Sequence, residues 1–128
     1  MKFLLDTHSL IWFIGGDVQL SSHARQLIDD EENELFISVA SLWEMAIKFS
    51  LDKLDLGQPF NTLFPSQLDN NSIEILGITV EHLEVVCNLP FHHRDPFDRL
   101  IIAQSHTEQM PVISRDTMFS SYGIKREW

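Results

Sequence analysis

A chain of 128 residues, 44% hydrophobic and 10% aromatic, is the size of one domain and can bury a core without staples. Its single cysteine, Cys87, excludes an intrachain disulfide and a multi-cysteine zinc site, and no apolar run approaches the length of a membrane span. Nine Lys+Arg against nineteen Asp+Glu give a formal charge of −10, which argues against broad electrostatic attraction to nucleic acid. Three kinds of contact stay open: acids paired with metal ions, a local basic rim, or a basic protein partner.

Lys2-Phe3-Leu4-Leu5 reads as a short buried strand ended by Asp6-Thr7. An acid this early does not suit a signal peptide, so a soluble cytoplasmic protein is expected. His8 to Ile14 read as a first helix, stopped by Gly15-Gly16. Leu20-Ser21-Ser22 opens a second helix with a serine cap and Ala24, Leu27 and Ile28 on one face. Its exit, Asp29-Asp30-Glu31-Glu32, reads as a solvated acidic turn. Leu35 to Val39 is a second strand, and Leu42, Met45, Ala46 and Phe49 mark the best-defined helix by their i, i+3, i+4, i+7 spacing. After a polar connection from Asp52 to Pro59, the residues Phe60, Leu63, Phe64 and Leu68 suggest one further helix. Pro65 fits it only in the first turn, for example with Asn61 as the cap.

Ile73 to Leu76 alternates like a strand, and Thr79 caps a short helix through Val80, Leu83 and Cys87. Asp95-Pro96-Phe97-Asp98 is a strong helix start, with Asp as cap, Pro at the first position and an acid at the third. Leu100, Ile101 and Ala103 then point inward. Val112-Ile113-Ser114 is a strand ended by Arg115-Asp116, followed by a short helix and a final strand over Ile124 to Trp128. Strands alternating with helices predict an α/β fold with a parallel sheet and helices on both faces.

Ligands of open α/β sheets gather outside the carboxyl ends of the strands. Asp6 and Asp116 follow strands, Glu44 lies early in the helix after the second strand, and Asp98 lies in the first turn of a helix. Together they would form an acidic cluster. Two unit charges about 4 Å apart repel by about 4 kcal/mol at an effective dielectric of about 20, so such a cluster calls for protonation or a divalent cation. Hard oxygen donors suit Mg²⁺ or Mn²⁺. Each acid also has a plain structural reading. Asp98 complements a helix dipole, Glu44 pairs with Lys48, Asp116 caps the last helix, and Asp6 caps the first.

Other signals are weaker. His92-His93-Arg94-Asp95 lacks the Gly-rich loop of a kinase and a second His/Cys cluster for metal, and reads first as a polar loop. Trp12 and Trp43 read as core or interface. The paired acids near the first strand and the late lysine of a receiver-like phosphoacceptor are missing, as is a nucleophile elbow.

Four motifs then occur in order: Phe3-Leu4-Leu5-Asp6-Thr7-His8; Ile37-Ser38-Val39-Ala40-Ser41-Leu42-Trp43-Glu44; the stretch from His93 through Asp95-Pro96-Phe97-Asp98-Arg99 to Gln104; and Ser114-Arg115-Asp116. Together they resemble the PIN-domain family, specifically the VapC-like toxins of bacterial type II toxin–antitoxin systems, over nearly the whole chain. The resemblance implies one PIN-like domain over residues 1–128, with a parallel five-stranded sheet, and Mg²⁺- or Mn²⁺-dependent cleavage of RNA. It also implies an inhibitory antitoxin partner and a homodimer. It assigns the acids to Asp6, Glu44, Asp98 and the more variable Asp116, with Asp95 as a helix cap first and a metal-site neighbour second. Ser114 stands where many relatives have Thr. Arg94, Arg99 and Arg115 are candidates for a phosphate rim, although Arg99 would equally neutralise an acid of its own helix. The alternative is a PIN fold that binds protein or RNA with little turnover.

Overall fold

The computed structural model describes residues Met1 to Trp128. One five-stranded sheet holds β1 (Lys2–Leu5), β2 (Glu34–Ser38), β3 (Ile73–Leu76), β4 (Val112–Ile113) and β5 (Arg126–Glu127) in the order β3-β2-β1-β4-β5. Every pair is parallel. Between the strands run α1 (Thr7–Ile14), α2 (Ser22–Asp29), α3 (Val39–Ser50), α4 (Phe60–Leu63), α5 (Ser66–Asn70), α6 (Val80–Asn88) and α7 (Pro96–Glu108), and a 3-10 helix covers Thr117–Tyr122.

Successive strand side chains point to opposite faces, and β1 shows what this does here. Phe3 and Leu5 enter a larger core with Leu10, Ile37 and Met45, whereas Leu4 enters a smaller one with Ile101, Ile102 and Phe119. A strand covered on both faces needs apolar side chains at consecutive positions, which is why Phe3-Leu4-Leu5 has no polar alternation. At about 1.5–3 kcal/mol for each fully buried Leu, Ile or Phe, both faces of β1 hold the sheet to its helices.

From β1 the chain steps to β2 and β3 on one side, then crosses to β4 and β5 on the other. The direction reverses between β1 and β4, where Leu4 pairs with Val112 and Leu5 with Ile113. A crevice opens beyond the carboxyl ends of strands at such a reversal. No helix is long and apolar enough to cross a membrane.

Several local expectations are corrected. Helix α3 begins at Val39, because the Ser38 hydroxyl accepts the Ala40 N–H (3.1 Å) and ends β2 there. The apolar stretch from Phe60 to Leu68 is two short helices. Pro65 lacks an N–H and drives Phe64 into extended backbone (φ −122°, ψ 131°), so the chain breaks between α4 and α5, and Asn61 caps nothing. Phe64 and Leu68 nevertheless reach the larger core. Leu100 is half-buried, while α7 buries Ile101, Ile102, Ala103, Gln104 and Ser105 in succession, because helix α6 packs alongside it. The last strand is only Arg126–Glu127.

Candidate active site

At the end of β1 the chain turns directly into α1, and Asp6 is the cap. Its Oδ1 accepts the Ser9 N–H at 2.9 Å and its Oδ2 accepts the Ser114 hydroxyl at 2.6 Å. Burial pushes the Asp6 carboxyl above the ordinary carboxylate range, against the opposing pull of the Ser114 and Ser9 hydrogen bonds. The next residue, Thr7, faces α3 instead. Its hydroxyl donates to Glu44 Oε1 (2.8 Å) and lies 2.9 Å from the Ser41 hydroxyl.

Asp116 stands beyond the neighbouring strand, β4. Its Oδ1 accepts the Met118 N–H at 2.9 Å and so caps the 3-10 helix. Its backbone N–H donates to the Ser114 hydroxyl at 3.0 Å. Ser114 therefore joins the two acids, one through a side chain and one through the main chain. Burial pushes the Asp116 carboxyl up, but the His93 hydrogen bond, the Met118 N–H and the charge of Arg126 outweigh it and hold the group below its ordinary range.

The third acid comes from the start of α7. Asp95 Oδ1 accepts the Phe97 N–H (2.8 Å) and the Asp98 N–H (3.4 Å), which is the expected cap. Asp98 lies one turn in, half-buried, with its carboxyl pushed up to about 7. Burial is the largest cause, followed by the charge of Asp95; Glu44 and Asp6 add to it and His93 opposes it.

Asp6, Asp98 and Asp116 line one open cleft of about 330 Å³ with His8, Trp12, Arg115 and Phe119. Glu44 does not line it. Thr7 and the Lys48 ammonium (3.0 Å, four residues on) hold the Glu44 carboxylate, yet its charge still reaches Asp98. The expected cluster is thus three acids in the cleft and one beside it. Neither Asp6 nor Asp98 has an ion-pair partner.

Of the three arginines expected at a phosphate rim, Arg115 lines the cleft, with its guanidinium 5.3 Å from the Trp12 ring centre, and Arg94 is exposed. Arg99 does neither of the things expected of it. It is 7% exposed and donates to the carbonyls of Val86, Leu89, Pro90 and His93 (2.9–3.3 Å). It ties the end of α6 to the loop before α7, where main-chain acceptors would otherwise be left without partners.

The loop that Arg99 holds carries the residue sequence reasoning passed over. His93 Nε2 lies 2.6 Å from Asp116 Oδ2, and one ligand atom each from His93, Asp98 and Asp116 falls within 4.8 Å of the others. A search for paired His/Cys spacing misses it because its companions are carboxylates from two other elements. The usable signal was a histidine just before an Asp-Pro-Phe-Asp helix start.

The donor set fits a hard divalent cation: carboxylate oxygens of Asp6, Asp98 and Asp116 converge on one cleft, and the Asp98 carboxyl is pushed up by burial first and by neighbouring acids second.

The sequence model of the PIN domain matches residues 3–125. The chain belongs to the PIN-domain family. Solved structures share this PIN fold across almost the whole chain at low identity. One is a chain of VapBC2 from Rickettsia felis, crystallised bound to a DNA fragment from its promoter (TM-score 0.75, 16% identity, 100% of this chain and 99% of that one). Another is a chain of FitAcB from Neisseria gonorrhoeae (TM-score 0.70, 18% identity, 97% and 95%). A third is a chain of a toxin–antitoxin complex from Klebsiella pneumoniae (TM-score 0.58, 19% identity, 89% and 86%). No curated protein sequence matches this PIN chain.

Proposed function

We propose that this PIN domain is a VapC-like toxin: a metal-dependent endoribonuclease of the cytoplasm, held inactive by an antitoxin. The observation that carries the reading is the meeting of Asp6, Asp98 and Asp116 in one cleft at the sheet's reversal point, with Asp98 pushed up to about 7 by burial and neighbouring carboxylates. PIN domains are in general nucleases that use divalent metals.

Asp6, Asp98 and Asp116 would hold Mg²⁺ or Mn²⁺, with Glu44 acting from beside the cleft. A bound ion of this kind activates water and neutralises charge on a phosphodiester. The chain's own part is positional. Ser9 and Ser114 keep both Asp6 oxygens in place, the Asp95 cap fixes the first turn of α7 and hence Asp98, and Lys48 and Thr7 fix Glu44. Arg115 offers a cation to the phosphate at the lip of the cleft.

The partner assignment draws support from the toxin–antitoxin complexes among the structural relatives. An antitoxin Arg or Lys reaching Asp6 and Asp98 would neutralise the cleft and block it. Trp43, 62% exposed and edge-on to Phe97, supplies apolar surface for protein contact, including pairing with a second copy.

The test is cleavage of a structured RNA in Mg²⁺ and Mn²⁺ by wild type, Asp6→Asn, Asp98→Asn and Asp95→Asn. The first two amides should keep the fold and lose turnover at least a hundredfold, on the order of an essential electrostatic group. Asp95→Asn should lose less, because Asn caps nearly as well as Asp. Near-wild-type cleavage by Asp98→Asn would remove Asp98 from the site.

A further inference from the structure

The cap of the 3-10 helix and the cleft share one carboxylate, and His93 stands behind it. The ring lies between two polar partners: Nε2 is 2.6 Å from Asp116 Oδ2, and Nδ1 is 3.0 Å from the Tyr122 hydroxyl. Its faces pack on Phe119 and Tyr122, with ring centres 5.1 and 5.5 Å away. Its own carbonyl accepts from Arg99 (3.3 Å), so backbone and ring are both held.

An ionised carboxylate only accepts, so Nε2–H is the donor in the contact with Asp116. The Tyr122 hydroxyl both donates and accepts, so it satisfies Nδ1 and holds the ring from its other side. Asp116 needs this support more than Asp6 does. Its side chain is 41% exposed, it follows a two-residue strand, and without His93 its Oδ2 has no protein donor.

We propose that His93 is a positioning residue of the metal site: its Nε2–H aims the Asp116 carboxylate into the cleft, and Tyr122 holds the ring in that orientation through Nδ1. The inference rests on the metal reading of the acids, and it assigns the loop before α7 a part in that reading. Direct ligation by His93 is disfavoured by the 2.6 Å contact. Neighbouring ligands about 2.1 Å from an octahedral ion sit about 3.0 Å apart. Ligand-supporting hydrogen bonds of this type change metal affinity by about 10- to 100-fold when removed.

Two substitutions of similar polarity separate the roles. His93→Gln places an amide N–H near the Nε2 position and can reach Asp116. His93→Asn is shorter, mimics Nδ1, and can reach Tyr122 only. Binding of Mn²⁺ to the full chain would be followed by titration calorimetry, and nitrogen coordination by electron spin-echo spectroscopy of bound Mn²⁺. Thermal melts in chelator would establish that each variant is folded. The expected result is affinity within about threefold of wild type for His93→Gln and about tenfold or more weaker for His93→Asn, with no directly coordinated imidazole nitrogen in wild type. Tyr122→Phe should fall between them. Equal affinity of wild type and His93→Asn would overturn the positioning role alone. A directly coordinated nitrogen lost in His93→Gln would overturn it in favour of ligation. Failure of wild type to bind Mn²⁺ at all would instead overturn the metal reading beneath it.

Discussion

Two corners of the sheet, at the ends of the adjacent strands β1 and β4, each carry an aspartate that caps the next helical turn and touches Ser114. At the β1 corner Asp6 is 7% exposed and burial pushes its carboxyl up. At the β4 corner the Asp116 side chain is 41% exposed, and its hydrogen bonds to His93 and Met118 help hold its carboxyl down. The local pattern of strand, acid and helical turn is shared, yet the electrostatic outcome is opposite. What differs is what covers each corner. The start of α1 and the buried Ser114 hold Asp6, while a loop histidine and open solvent surround Asp116. An acid held above its ordinary range gains most from a cation, so the β1 corner should dominate metal binding and the β4 corner should tune it.

The largest expected difference between the corners is the response to metal. An ion bound only by the folded state stabilises it by about 2.7 kcal/mol at a hundredfold excess over Kd, a rise of several degrees in Tm. Wild type should show this in millimolar Mn²⁺ relative to chelator. Asp6→Asn should abolish it, and Asp116→Asn should only reduce it. Equal loss at both corners would erase the distinction between them.

The pH dependence in chelator comes next. Asp98 is pushed up to about 7 from 3.8, so between those values the native state holds a proton that the unfolded state has released. Stability from this group is full below about pH 4 and falls as pH rises through 7. The expected loss is about 2 kcal/mol once solvent screening of a half-buried group is discounted. Asp6, also raised, has the same sign. Asp116 is lowered, so its contribution is present above the ordinary carboxylate range and is lost as pH falls below it. Urea melts from pH 3 to 8 should therefore flatten at the neutral end in Asp98→Asn and at the acid end in Asp116→Asn. A wild-type profile that rises from pH 4 to 7 would contradict the raised acids.

The smallest effect tests the link between the corners. Ser114→Ala removes the hydroxyl that donates to Asp6 and accepts from the Asp116 N–H. Asp6 keeps the Ser9 N–H, and the Asp116 main chain is near solvent, so the cost should be about 1 kcal/mol by chemical denaturation. No measurable cost would mean that the two corners are held independently.

Much of this was legible residue by residue. The consecutive apolar side chains of Phe3-Leu4-Leu5 announce a strand covered on both faces, and Asp95-Pro96-Phe97-Asp98 announces a capped helix. The Glu44–Lys48 pair was likewise expected from its spacing of four. The break at Pro65 is hidden in the sequence because the burial of Phe64 and Leu68 resembles one continuous helical face, while proline's missing N–H acts on the backbone. The role of Arg99 is not legible locally, because its charge points to a phosphate or to an acid of its own helix, whereas its environment supplies four carbonyls from a loop and the end of α6.

The sequence by itself determined the α/β alternation and most of the helix caps, and it singled out the acids as candidates, because those signals act over a few residues through side-chain periodicity and local hydrogen bonds. Which acids share a cleft was decided only by the tertiary structure. The strand order β3-β2-β1-β4-β5 sets Asp6 beside Asp116, although 110 positions separate them along the chain. The packing of α7 brings Asp98 and His93 to the same edge, and Thr7 and Lys48 keep Glu44 beside it. Burial and neighbouring charge, which raise one carboxyl and lower another, exist only once those distant segments meet.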